Sequence, residues 1–447
     1  MEQTDTKLKL RHYPLIKELS QESRQDISEQ AMRRRCIALS LLQEYQCLPK
    51  RPSLVPSADG ALEGLLLTIP AYAVLGPNNP LWNIYQDLIL KLPAYTKLHI
   101  LAHESVCNLL EEWLQNHKME NQALVHTVPD SIKMTVWAED DFELVQDKAD
   151  SVLYMVQPHS NRRTGDENAA FHTSKVFEWP RVKVPVYFEG GNILVGDNFF
   201  LIGADYAVDT YLDMNGSMEP DDMNHLSRAM SELYGKYLDS ERKLFLVGST
   251  VQIPSVKKEK LVIEGEEWTE EYFSHNSEGT VQPIFHIDMF ITLAGRNQEG
   301  KYQLLVGDPR MAAEMLKNDF MTRLNPDAFD DIANLLSKLG FDVIRNPLPL
   351  VHIDDPEVKL RKWYYATYNN ALVEIKSPEA KTVWLPTYGY GCWEELKRTD
   401  EENKRIWEKL GFNVIYLADF HPFVEFSGSV HCIKKYVRRQ GVSYKRE

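Results

Sequence analysis

DDIANLLSKLGFDVIRNP (residues 330–347) and ENKRIWEKLGFNVIYLAD (residues 402–419) place the same three things in the same order: an amphipathic helix, a Leu-Gly pair and an apolar strand. Gly340 and Gly411 each stand where a helix ends, and glycine takes the left-handed conformation that such an end needs without a steric penalty. Phe-x-Val-Ile then opens a strand in both copies. One supersecondary unit is being reused, which points to a repeat architecture. Helix–Gly–strand junctions occur throughout α/β proteins, so the repeat speaks to architecture and not to chemistry.

The same rhythm extends outward. From about Gly60 short apolar strands alternate with amphipathic helices: LLLTIPAYAV (65–74), a helix near Leu81–Leu92, the strand KLHILAH (97–103) and a helix carrying Val106, Leu109, Leu110 and Trp113. No long Gly/Ser/Pro linker interrupts it, so the fold class is α/β, with one large domain expected over residues 59–447. Residues 1–58 read as an N-terminal helical extension, because Ser23–Gln46 is rich in Glu, Arg, Ala, Leu and Gln and ends before Pro49 and Pro52. The polar stretch QPHSNRRTGDENAAFHTSK (157–175) reads as a mobile surface loop.

Composition narrows the class. In a chain of 447 residues, 43% hydrophobic and 26% charged residues are ordinary for a globular protein, and 11% aromatics argue against extensive disorder. A formal charge of −15 opposes binding to nucleic acid or to an anionic membrane and suits a cationic substrate, although acidic balance also serves solubility alone. The cysteines Cys36, Cys47, Cys107, Cys392 and Cys432 form no CxxC pair and no Cys/His cluster, so neither a disulfide framework nor a zinc site is indicated. With no signal-peptide core and no apolar run of about 18 residues, the expected compartment is the cytoplasm.

Four segments could carry chemistry. In VPVYFEGGNILVGDNFFLIGADY (184–206), Gly190 and Gly191 inside a strand pattern imply a bulge or a close approach of backbone, beside Glu189 and Asn192; a surface hairpin turn is the plain alternative. PIFHIDMFITLAG (283–295) reads as a strand whose period of two sets His286 and Asp288 on one face, as a proton shuttle and a cation anchor require, or as the polar face of an edge strand. In FVEFSGSVHCIKKYV (423–437) the small Ser427-Gly428-Ser429 loop leads to Cys432, either a nucleophile at a strand start or a small buried hydrophobe. His431, its neighbour along a strand, would point to the opposite face. Finally, IKMTVWAEDDFELV (132–145) runs into Trp137 followed by Glu139, Asp140 and Asp141, a ring face and carboxylates that suit a planar cation, or a solvated acidic turn.

Taken together and in this order, the four segments resemble the guanidino-group-modifying enzymes of the pentein fold, especially agmatine deiminases and more distantly arginine deiminases. The correspondence runs through Trp137 to Asp140, Glu189-Gly190-Gly191, His286-Ile287-Asp288 and Gly428 to Cys432, and YYATYNNALVEIKSPEAKTVWLPTYG (364–389) is similar to the strand pair that precedes the family's last helix. The resemblance implies a pseudo-five-fold α/β propeller of ββαβ modules. It implies Cys432 as nucleophile, His286 as general acid and then base, and Glu189, Asp140 and Asp288 as guanidinium ligands, with Trp137, Gly428 and Asn192 lining the substrate. No metal or organic cofactor is needed. The expected partner is a small-molecule or peptidyl guanidino substrate, attacked through a covalent thiouronium and released as a ureido product with ammonia. Amidinotransfer by the same intermediate, or a non-catalytic pentein that binds a partner, are the other readings. This chain has Trp-Ala-Glu-Asp-Asp-Phe where agmatine deiminases have Trp-x-Arg-Asp-x-Gly-Pro, which leaves open the end of the substrate remote from the guanidinium, and the oligomeric state is open too.

Overall fold

The computed structural model describes residues 45–158, 166–215, 223–274, 276–318 and 323–440. Residues 1–44, the larger part of the expected helical extension, lie outside them. Of the remainder of that extension, Pro52–Leu54 is a strand paired antiparallel with Glu143–Asp147.

Both quoted repeats fold as read. Helix Pro326–Lys338 gives way at Gly340 (φ +98°) to strand Asp342–Pro347, and helix Lys397–Lys409 gives way at Gly411 (φ +82°) to strand Phe412–Asp419. Each belongs to a larger unit in which a first strand lies antiparallel to a second and the second parallel to a third. The pattern is met in Ile291–Arg296, Tyr302–Asp308 and Asp342–Pro347, and in Leu372–Ser377, Ala380–Thr387 and Phe412–Asp419. It recurs in Glu143–Asp147, Leu153–Pro158 and Arg181–Val184, and in Ile193–Val195, Phe199–Gly203 and Lys243–Val247. The fifth case joins the two ends of the described chain: the C-terminal strand Lys434–Gln440 pairs antiparallel with Ala61–Ile69, which runs parallel to Lys97–His103. One or two helices separate each parallel pair, because a parallel crossover needs the length that a helix supplies.

A sixth sheet stands outside this pattern, built from Lys257–Ile263, Glu266–Tyr272, Leu360–Tyr365 and Leu350–Asp355. The main apolar core runs through the units, and aromatic edges join neighbours: Phe199 meets Tyr302 and Phe341, each at 4.8 Å between ring centres. Buried polar bonds tie distant strands as well, with the Tyr302 hydroxyl donating to Asp59 at 2.6 Å and the Leu62 amide to Glu374 at 2.8 Å.

Two local expectations are overturned. Residues 283–295 are not one strand: Ile287–Met289 form a 3-10 turn capped by His286, and the strand begins at Ile291. Alternation was misleading because Ile287, Asp288 and Met289 are all buried, which no two-sided strand at a surface would produce. Of the expected loop 157–175, residues 159–165 lie outside the described set, and Asp166–Val176 is a helix whose Ala169 and Ala170 are buried.

Candidate active site

Each of the five units enters its first strand from a turn, and four of these turns carry residues singled out above. Glu139–Asp141 precede Glu143; the 3-10 turn Gly190–Asn192 precedes Ile193; Ile287–Met289 precede Ile291; Asn369 and Asn370 precede Leu372; and Ser429–Cys432 precede Lys434. Glu189, Gly190 and Gly191 lie in a turn where a strand was expected, and the close backbone approach they implied is present. A Cβ on Gly190 would lie 2.0 Å from the Glu139 carbonyl oxygen, and one on Gly191 would lie 2.5 Å from His286 Nδ1, 3.2 Å from Asp288 Oδ2 and 3.3 Å from Asp140 Oδ1. Those three polar atoms converge on one glycine, and no larger residue fits there.

Around that point the groups are buried and connected. His286 Nε2 is 2.8 Å from Glu189 Oε2, and its Nδ1 is 3.8 Å from Asp140 Oδ1. Tyr206 donates its hydroxyl to the same Glu189 oxygen at 2.5 Å. Asp140 Oδ1 accepts the Gly191 amide at 3.2 Å. Asp288 Oδ2 accepts from His431 Nδ1 at 2.9 Å and from the Cys432 thiol at 3.4 Å, while Asp288 Oδ1 is buried without a partner. Asp140, Glu189 and His286 offer ligand atoms within 4.8 Å of one another, an arrangement suited to a cation, whether metal ion or guanidinium.

His431 corrects another expectation. It is not a strand residue facing away from the site, because Val430–Ile433 form a turn and the strand starts at Lys434; the turn brings His431 and Cys432 to the same carboxylate. Of the three consecutive acids only Asp140 meets His286, since Glu139 is paired with Lys434 at 2.9 Å. Trp137 is buried with its ring against Gly428, where a Cβ would lie 2.2 Å from Cζ3, and 6.0 Å from the Phe423 ring. Asn192 is engaged with protein: its Oδ1 accepts the Ile287 amide at 3.1 Å and the Gln282 side-chain amide at 3.0 Å, which holds the His286–Asp288 turn in place.

Sequence reading missed Asn370, Tyr206 and Gln282. Asn370 does for Cys432 what Asn192 does for His286. Its Oδ1 accepts the amides of Ser429 (3.1 Å), His431 (2.8 Å) and Cys432 (3.2 Å), and its Nδ2 donates to the Cys432 sulfur at 3.2 Å. The Asn-Asn pair after a strand was the available signal, since a small amide is suited to bonding neighbouring backbone in turns.

The electrostatics follow from burial among acids. Burial lifts the Asp288 carboxyl to about 7, against the pull of His286 and with the push of Asp140. Burial opposes charge on His286, but Asp140, the Glu189 hydrogen bond and Asp288 outweigh it and raise the imidazole above its ordinary value. Burial, then Asp288 and Asp140, push the Cys432 thiol well up, so without a bound cation it is held as a thiol. His431 is driven well down by burial and by Lys434 and Lys435.

No family model matches the chain, and no curated protein matches it either. Solved structures do. An agmatine deiminase from C. jejuni superposes with a TM-score of 0.54 at 15% identity, over 88% of this chain and 96% of that one. A structural-genomics target assigned as an agmatine deiminase gives 0.57 at 12% identity, over 87% and 97%, and the agmatine deiminase of Enterococcus faecalis gives 0.56 at 12% identity, over 88% and 98%. At such identities the likeness is one of architecture, and it extends over nearly the whole of each relative: this chain has the fold seen in these agmatine deiminase structures.

Proposed function

We propose that the protein is a deiminase, a hydrolase that removes ammonia from a guanidino compound through a covalent bond to Cys432, on a pseudo-five-fold pentein propeller. The observation that carries this reading is the convergence, on turns from separate units, of a buried thiol, a histidine raised in basicity and the carboxylates of Asp140, Glu189 and Asp288 around Gly191. A planar cation is what such a cluster would stabilise, and carboxylates match its N–H groups in pairs.

The chemistry balances on these groups. A bound guanidinium offsets the negative charge that holds Cys432 as a thiol, and the thiol proton passes to Asp288 Oδ2, 3.4 Å away. The thiolate attacks the central carbon, forming a C–S bond and a neutral tetrahedral adduct. Protonated His286 gives its proton to one nitrogen, the C–N bond breaks and ammonia leaves, so that a thiouronium remains on sulfur. Neutral His286 then takes a proton from water as the oxygen adds to carbon. The C–S bond breaks, the oxygen's proton returns to sulfur, and the proton on Asp288 leaves with the ammonia as ammonium. Glu189 and Tyr206 hold His286 for both transfers; Trp137 and Gly428 form a wall, and Asn192 fixes the turn behind His286. No step needs a cofactor. The site faces a small molecule, and among the described residues no helix is long and apolar enough to cross a membrane.

Incubation with a panel of guanidino compounds, read by ammonia release and product mass, tests the reading. A ureido product with one equivalent of ammonia supports it. A new guanidino compound formed from an added amine, without ammonia, identifies amidinotransfer instead.

A further inference from the structure

Lys434 and Lys435 open the strand that follows Cys432, and among the described residues they are the only buried lysines or arginines. Both reach the same acid. Lys434 Nζ donates to Glu139 Oε2 at 2.9 Å. Lys435 Nζ donates to the Glu139 carbonyl at 2.8 Å, lies 3.5 Å from Glu139 Oε1 and pairs with Glu143 Oε1 at 3.0 Å. The Glu139 amide donates in turn to the Cys432 carbonyl at 3.1 Å. Gly190 leaves the room that this needs, because a Cβ there would lie 2.7 Å from Lys435 Nζ and 2.8 Å from Glu143 Oε1.

Two ammonium groups and two carboxylates are thus closed on one another in the interior. Such a cluster adds little to stability, since the cost of desolvating the charges offsets their attraction and apolar side chains of similar size pack as well. What it fixes is the placement of one turn against another. Glu139 immediately precedes Asp140, and the lysines follow Cys432 after a single intervening residue. The ion pairs and the Glu139–Cys432 backbone bond therefore bind the turn that presents the Asp140 carboxylate to the turn that presents the thiol.

Resting on the guanidino reading above, we propose that Lys434 and Lys435 are positioning residues that act through Glu139, holding the Asp140 carboxylate so that a guanidinium bound to it keeps its carbon at the Cys432 thiol. Two charge-balanced variants test this, because each removes one cation with one anion and leaves no buried charge unpaired. Lys435→Met with Glu143→Gln keeps the Lys434–Glu139 pair, and Lys434→Met with Glu139→Gln keeps the Lys435–Glu143 pair. Ammonia release from methylguanidine is measured beside thermal melting. Each folded variant is expected to lose at least about tenfold in kcat through misalignment, and to raise KM at least about threefold as Asp140 loses its fixed place. A purely structural role would only reduce the amount of working enzyme, which lowers kcat and leaves KM unchanged. A folded variant of either kind that keeps the wild-type kcat or the wild-type KM would overturn the proposal while leaving the deiminase reading intact. If neither variant folds, the cluster serves the fold and the proposal falls in the same way. No ammonia from any guanidine with the wild-type protein would overturn the deiminase reading and this inference with it.

Discussion

Asn370 is the residue whose loss should be felt most widely for its size. One side-chain oxygen takes three buried amides of the loop that presents Cys432, and its nitrogen reaches the sulfur. Asn370→Ala leaves the Ser429 and Cys432 amides without this acceptor, while the His431 amide keeps the Asn370 main-chain carbonyl at 3.2 Å; each buried unpaired donor costs about 1–3 kcal/mol. Activity should fall further than stability, because a nucleophile displaced by about 1 Å can lose about 10²-fold in rate. Thermal unfolding and ammonia release on the same preparation check this; a variant with wild-type kcat would show that the clasp does not position the thiol. The Asn-Asn pair in Tyr-Asn-Asn-Ala signals a turn but not what the turn holds, whereas Cys432 and His286 could be singled out because their residue types are chemically uncommon and their flanking small residues are suggestive. Tyr206 escaped for the same reason as Asn370, since its partners are set by folding, and His431 was set aside as a strand residue facing away, although its partner Asp288 lies 143 residues distant.

At the scale of elements, glycines divide into two kinds. Gly340 and Gly411 end helices at positive φ with nothing within 4 Å of an added Cβ, so Gly340→Ala or Gly411→Ala should cost about 1 kcal/mol each through backbone conformation alone and leave kcat unchanged. Gly191→Ala, in contrast, forces an atom to 2.5 Å from His286 Nδ1 and should abolish activity. Denaturant midpoints and turnover for the three variants separate the two kinds; an active Gly191→Ala would remove Gly191 from the site. The helix ends were legible because glycine after a periodic apolar pattern has one dominant use. Residues 283–290 were misread because period-two alternation describes a strand and a buried turn equally well, and only tertiary burial separates them. Helix Asp166–Val176 was missed because its polar residues show weak amphipathicity, and its buried alanines identify a face only after folding. A second element-scale expectation concerns the paired strands Lys97–His103 and Ala123–Val128, where His99 and His126 stack at 5.3 Å. Burial, with His99 adding to it, lowers His126 to about 4. The unfolded chain therefore binds a proton near pH 6.5 that the folded protein refuses, so this pair's contribution is complete above about pH 6.5 and is lost as pH falls toward about 4. His126→Gln should flatten the fall of melting temperature between pH 6.5 and 4.5, and an unchanged slope would assign acid sensitivity elsewhere.

Across the whole molecule, the pairing of the C-terminal strand with an early one is what brings the last turn to the others. The strand after Cys432 pairs with Ala61–Ile69, so the last unit is completed by the beginning of the described chain and its turn is brought to the others. The repeat was visible in KLGFDVI and KLGFNVI because those two copies kept similar residues, but the other units share only strand order and orientation, which leave no trace in local pattern. The sixth sheet was invisible as a separate element for the same reason: its strands come from two distant stretches. The central claim is that Cys432 attacks a guanidinium carbon, and acid quenching during turnover of a guanidino substrate, followed by peptide mapping by mass spectrometry, tests it most directly. The account predicts a thiouronium on Cys432 and on no other cysteine, accumulating further in a His286→Ala variant that cannot activate water. An adduct on Cys47, Cys107 or Cys392, or full turnover by Cys432→Ala, would contradict it.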